Sequence, residues 1–220
     1  MMRRLRFLVP GEGTWCWYEL DGDAVARRQA VFDRSLPVPD PDDPWGGTAE
    51  SMEGGVSVAA DREGLSAVRE HFGPVGAQMY ESVYGPLTDG RVRVPGNAED
   101  VSEAEFERAW DAARRQRHFT RHRGGPLPEG TSVTGTVVAL PWGPGRTGLA
   151  VDIGMPGRGF VDMGHLPVAP EDWPTVGTVT EFEVVQIRIH TSADGADLEV
   201  RLRPTATPPP GEPWPRPAPR

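Results

Sequence analysis

The sequence predicts two domains of different class: an α+β N-terminal domain, built from a small antiparallel sheet plus helices, and an all-β five-stranded barrel after it. Three observations carry this. A capped amphipathic helix begins near residue 102, and five short alternating segments broken by glycines fill residues 130–203. Between them, residues 114–123 hold five arginines and no acid. The expected divisions are an α+β domain at 1–113, a basic helix end and linker at 114–128, the barrel at 129–204, and a disordered proline-rich tail at 205–220.

The chain has 220 residues, enough for two small domains that each bury a core. Its 27 Gly and 24 Pro exceed average usage and predict long turns. The 23 basic residues are all Arg. Net charge is −9, spread unevenly: −10 over 1–113, +5 over 114–123, −5 over 124–205 and +1 in the tail. An acidic body with one basic knot is not the broad basic face of a general nucleic-acid binder. Cys16 is the single cysteine, so an internal disulfide is excluded. No apolar run approaches the roughly 20 residues of a membrane helix, and the apolar patch before Pro10 is too short for a signal peptide. A cytoplasmic protein that binds no membrane is expected.

Taken in order, residues 3–9 and 14–20 alternate like strands about a Gly-rich turn, with Trp15, Trp17 and Glu19 on one face. Residues 24–33 fit a strand or a short helix. Residues 35–55, rich in Pro, Asp and Gly, read as a long loop. Residues 62–72 and 74–84 look helical, with Leu65, Val68, Arg69 and Phe72 at helical spacing. A short strand is expected at 91–94. Ser102 and Glu105 then form a capping box, Val101 supplies a staple, and Phe106, Ala109, Trp110 and Ala113 form one apolar stripe. The strings "WYELDGDAVARRQAVFD" and "VSEAEFERAWDAA" resemble a small bacterial domain of unknown function. That resemblance implies a strand at 24–33 and no chemistry.

The second half reads as "SVTGTVVAL", "GLAVDIG", "GRGFVDMG", "TVTEFEVVQIRI" and, after a turn at Asp194 and Gly195, "DLEVRLR". Five short strands with glycine corners suggest a closed barrel of the OB type. Gly130, Val133, Gly135, Val137, Gly148, Val151, Ile153, "GFVDMGHL", Gly177, Phe182 and Val184 resemble the S-one RNA-binding domain, the OB-fold repeat of the largest small-subunit ribosomal protein. The match covers about 75 residues, mainly barrel-forming positions, so it implies fold more than function.

The resemblance also says where that family holds RNA, and this chain departs from it there. The two aromatic positions hold Thr147 and Ala150, and the histidine position holds Asp162. A late strand-four acid falls on Arg188 and an early strand-five base on Asp197. Each lost aromatic stack is worth about 1–3 kcal/mol, so losing two weakens RNA binding roughly 30-fold to over 10,000-fold. Strand alternation places Phe160 beside Asp162 as a remaining aromatic, and Asp162 and Arg188 are expected to pair across the face.

Other motifs carry less. "GPGRTG" at 143–148 fits a dinucleotide pattern, but it leads into a strand and not a helix, so no nucleotide cofactor is expected. His118 and His122 have helical metal-ligand spacing, yet arginines surround them, which argues for a solvated basic helix end and no metal. Cys16 reads as buried packing between Trp15 and Trp17. Pro210 and Pro213 make a minimal polyproline-ligand pattern. No triad or paired-carboxylate motif appears, so an enzyme is not expected. The favoured reading is a non-catalytic module with a rewritten, acidic ligand face and an unknown protein partner, acting in regulation or toxin neutralisation. The alternative is a divergent RNA binder using Phe160, Trp142, Arg146 and Arg158 with the cluster Arg114, Arg115, Arg117, Arg121 and Arg123.

Overall fold

The computed structural model describes residues 2–36, 54–192 and 195–217. The chain is α+β, with a five-stranded antiparallel sheet and helices followed by a five-stranded sheet of mixed type. It divides into two compact units, Met1–Ala67 with Tyr80–Arg121, and Val68–Met79 with His122–Arg220.

The first sheet contains β1 (Arg3–Val9), β2 (Thr14–Leu20), β3 (Ala26–Asp33), β4 (Gly55–Asp61) and the short β5 (Glu99–Asp100) in the order β4-β3-β2-β1-β5. Residues 24–33 therefore supply a strand and not a helix. Most of the loop expected at 35–55 lies outside the described residues. The expected strand at 91–94 reduces to one bridge between Arg91 and Val25, with Val92 N donating to Ala24 O. Pro95 has no N–H with which to extend that ladder.

Helix α1 (Arg62–Tyr84) starts at Asp61, whose carboxylate caps Gly64 N and accepts from Tyr80 Oη at 2.8 Å. Gly73 breaks it at φ +69°, immediately before Pro74. Proline removes a helical donor, and glycine alone enters that backbone region freely, so the two expected helical pieces meet at a kink. Helix α2 (Glu103–Phe119) carries the full capping box, with Ser102 N donating to Glu105 Oε2 at 2.8 Å and Glu105 N to Ser102 Oγ at 3.3 Å. Its stripe of Phe106, Ala109 and Ala113 is wholly buried against Trp17, Ala30, Phe32, Val56 and Ala59.

Glu19 is buried on that same side, accepting from Arg4 Nε at 2.9 Å and Arg28 Nε at 2.7 Å. Arg28 continues to Glu107 of α2 at 2.9 Å, so the pair ties sheet to helix. The Arg28 hydrogen bond holds the Glu19 carboxyl below its ordinary value of 4.5, against the opposing effect of burial. A carboxylate lowered in the folded state stabilises above its unfolded pKa, and that contribution fades as pH falls through it. The unfolding midpoint of the parent should therefore exceed that of Glu19→Gln at pH 7, with the gap narrowing below about pH 4.5. A gap constant from pH 7 to pH 3 in urea titrations would show that ionisation of Glu19 contributes nothing.

The second sheet contains β6 (Ser132–Ala139), β7 (Gly148–Asp152), β8 (Arg158–Asp162), β9 (Val179–Ser192) and β10 (Gly195–Pro204). β6 pairs with β7, β7 with β8, β10 with β9, and β9 with β6, all antiparallel. β8 and β10 run parallel. Val137, Leu149, Val151, Val161, Phe182, Val184, Leu198, Val200 and Leu202 alternate into one apolar interior. The turn expected at Asp194 lies partly outside the described residues.

Of the tail expected to be disordered at 205–220, residues 205–217 are tied to their own unit, and residues 218–220 lie outside the described residues. Thr205 N donates to Glu181 O at 3.1 Å, and Trp214 Nε1 donates to Asp172 O at 2.9 Å. Residues 205–217 form neither helix nor strand, as their prolines require, but they lie against their own unit.

Candidate functional site

The outward positions of β8 and β10 come together through the parallel register Glu199↔Arg158 and Arg201↔Phe160. On β8 these are Arg158, Phe160 and Asp162, and on β10 they are Asp197, Glu199 and Arg201. They form a ladder of alternating charge. Arg158 Nη2 lies 3.7 Å from Asp197 Oδ2 and 3.2 Å from Glu199 Oε2. Arg201 Nη1 lies 3.4 Å from Glu199 Oε1, and its Nη2 lies 3.7 Å from Asp162 Oδ2. Glu199 and Arg201 are the shielded middle of the ladder, at 17% and 21% side-chain exposure, while Asp162 and Asp197 are half exposed at its ends.

Arg201 also covers Phe160, its guanidinium carbon 4.8 Å from the ring centroid. The ring leans over Gly148, where a side-chain carbon would meet Phe160 Cζ at 2.9 Å. The aromatic left for stacking thus already has a cation on it. Asp162 has a second task, accepting from Gly164 N at 3.0 Å and so capping the turn at Met163–His165.

Two expectations about this face change. Asp162 pairs with Arg201 and not with Arg188, which donates Nε to Gln186 Oε1 at 3.0 Å along its own strand. The sequence register placed Arg188 opposite Asp162, whereas the sheet sets it beside Glu199. Nor is the face acidic, because Asp162, Asp197 and Glu199 meet Arg158, Arg188 and Arg201 in equal number. Glu199 and Arg201 were absent from the sequence candidates. Their signal was the period-two charge in "DLEVRLR", which sets residues 197, 199, 201 and 203 on one strand face.

Ala150 is buried and pairs with Phe160 across β7 and β8, leaving a methyl where a stacking ring would stand. Thr147 precedes β7 and gives its carbonyl to Met163 N at 3.1 Å. Trp142, 69% exposed, and exposed Arg146 stand on the β6–β7 loop, away from any ladder contact among the described residues.

The basic cluster on and just after α2 divides by role. Arg117 Nε and Nη2 donate to Val83 O at 2.7 Å and Ser82 O at 3.0 Å, supplying the last turn of α1 with the cation and donors that a helix C-terminus lacks. Burial lowers the Arg117 pKa. Arg114 lies 3.8 Å over Tyr84 and donates to Ala59 O at 3.2 Å. Arg115, Arg121 and Arg123 are exposed. His122 corrects the solvated helix end: it is buried, with Nδ1 3.0 Å from Glu129 Oε1 and Nε2 2.8 Å from Leu127 O. Its carboxylate partner came from seven residues downstream. No group of three or more His, Cys, Asp or Glu suited to a metal occurs among the described residues, and no helix there is long and apolar enough to cross a membrane. Cys16 is buried, and burial with the nearby Glu12 charge pushes its thiol up to about 11.

No family model matches the chain, and no curated protein matches it. Among solved structures it is similar to a multidomain protein with nucleic acid binding domains from Streptococcus pneumoniae, at 16% identity and a TM-score of 0.25. The alignment covers 53% of this chain and 34% of that one, so this chain spans about a third of that protein's length.

Proposed function

We propose that the chain is a non-catalytic protein-binding module whose second sheet closes as an S-one-like OB barrel and whose nucleic-acid face has been turned into a self-satisfied structural surface. The observation that supports this most is the ladder Asp197–Arg158–Glu199–Arg201–Asp162, with Arg201 lying over Phe160. A base stacking on Phe160 must first displace that cation–π contact, worth about 0.5–1 kcal/mol at an exposed site. A phosphate approaching Arg158 or Arg201 competes with carboxylates already within 3.2–3.7 Å. The round of pairings from β6 through β7, β8, β10 and β9 back to β6 supports the barrel reading.

Fluorescence anisotropy with a random RNA oligomer at physiological salt tests this reading. The expected result is a Kd of about 10⁻⁴ M or weaker, the weak end of non-specific binding. Micromolar binding that falls steeply with salt and disappears in Phe160→Ala would overturn it and establish the RNA-binding alternative.

A further inference from the structure

Residues 208–217 of the second unit are held by contacts of an unusual kind. Residues 208–217, "PPPGEPWPRP", contain six prolines. Six missing N–H groups leave such a segment carbonyls, side chains and a few amides for recognition, and its restricted φ angles reduce the entropy lost on docking. The contacts follow that logic. Gly211 N donates to Asp172 Oδ1 at 2.9 Å, and Trp214 Nε1 donates to Asp172 O at 2.9 Å. Pro215 O accepts from Thr180 Oγ1 at 2.8 Å. The seat itself is fixed from beneath, since Trp173 is buried and its Nε1 donates to Pro167 O at 2.7 Å.

The tail does not fill this seat. A cavity of ≈ 680 Å³ remains, with Trp173, Thr178 and Val179 on one wall and Trp214 and Arg216 on the other. The seat side also carries exposed aliphatic side chains. Val168, Val176 and Val179 are 101%, 61% and 42% exposed, all on the stretch from the end of β8 to the start of β9. Among the described residues, only three hydrogen bonds hold residues 208–217 to the seat, a cover that can be exchanged.

We propose that this strip, from Val168 to Thr180, is a docking site for proline-rich peptide segments with a Pro-Trp-Pro core. The chain's own tail occupies it in cis and gives way to such a segment on a partner protein. Asp172 is the recognition residue, because its carboxylate and its carbonyl each receive one donor of the peptide. Thr180 reads a carbonyl, the group a polyproline segment always offers. This rests on the reading of the chain as a protein-binding module and names the partner chemistry and the surface used.

The probe is a fluorescein-labelled peptide with the sequence of residues 208–220, added to the full chain. The tethered tail competes at an effective concentration of order millimolar, so the parent should bind the peptide weakly. Full-length Trp214→Ala, which releases the tail, should bind it about 10-fold or more tightly than the parent. Gly211→Pro, which deletes the N–H that meets Asp172, provides a second way of freeing the seat. Adding Asp172→Ala to either variant removes the acceptor of Gly211 N but keeps the backbone carbonyl that meets Trp214 Nε1, so it should weaken binding about 10-fold while leaving the thermal unfolding midpoint near that of the single variant. A peptide with Ala in place of the tryptophan should not bind.

Equal affinity in parent and both released variants, or binding undiminished by Asp172→Ala, would overturn the proposal. Its failure is distinguishable from that of the protein-binding reading. Peptide capture is read at Asp172, whereas RNA capture is read at Phe160 on the separate β8–β10 face.

Discussion

Gly148→Ala is expected to destabilise the second unit by about 4 kcal/mol or more, a loss reserved for strong steric or strain effects. Gly148 opens β7 at φ +147° and pairs with Asp162 of β8. A Cβ there would stand 2.0 Å from Val161 O and 2.9 Å from Phe160 Cζ. The aromatic ring can rotate away, but the carbonyl belongs to the β7–β8 ladder and moves only if the pairing opens. The backbone conformation adds strain of about 1–3 kcal/mol for any L side chain. Chemical unfolding followed by circular dichroism should show the change as a large drop in midpoint. A midpoint equal to the parent's would mean that the strands do not approach as closely as described.

Phe106→Ala should cost the first unit about 3–5 kcal/mol, the usual range for deleting a buried aromatic. Phe106 is 0% exposed and sits where α2 crosses the sheet, among Trp17, Phe32, Val56 and Ala59. It also lies under the Arg28 guanidinium, whose carbon is 4.9 Å from the ring centroid. Removing the ring therefore opens a cavity and leaves the Arg28–Glu19 pair with a weaker wall. Phe106→Leu, which keeps most of the volume, should lose less than half as much. If the two variants unfold at the same denaturant concentration, volume at this position does not limit stability.

These two sites show how unevenly the sequence displayed its meaning. The α2 start was fully legible, because a capping box is local: Ser102 and Glu105 satisfy each other within one turn. The broken α1 was legible for the same reason, with Gly73 and Pro74 adjacent in the chain. β4 was not, because "GVSVAAD" follows a Pro- and Gly-rich stretch and its pairing with β3 is supplied from a distance. The two-residue β5 exists only because β1 offers it an edge. His122 looked solvated from its neighbours, and only the return of Glu129 and Leu127 makes its pocket.

For the candidate face, residue identities were visible and partnerships were not. Thr147, Ala150 and Asp162 could be recognised as departures from a stacking face by chemistry alone. Whether Asp162 met Arg188 or Arg201 depended on which strands lie side by side, and β8 and β10 are neighbours through a parallel pairing between segments some forty residues apart. The sequence by itself determined the secondary structure wherever capping, glycine and alternation act within a few residues, and it determined that the usual stacking aromatics are missing. Tertiary structure alone decided the charge balance of the face, the cation over Phe160 and the seating of the proline-rich tail. Those depend on strand register and on contacts between distant segments, which a one-residue slip would send to the opposite face of the sheet.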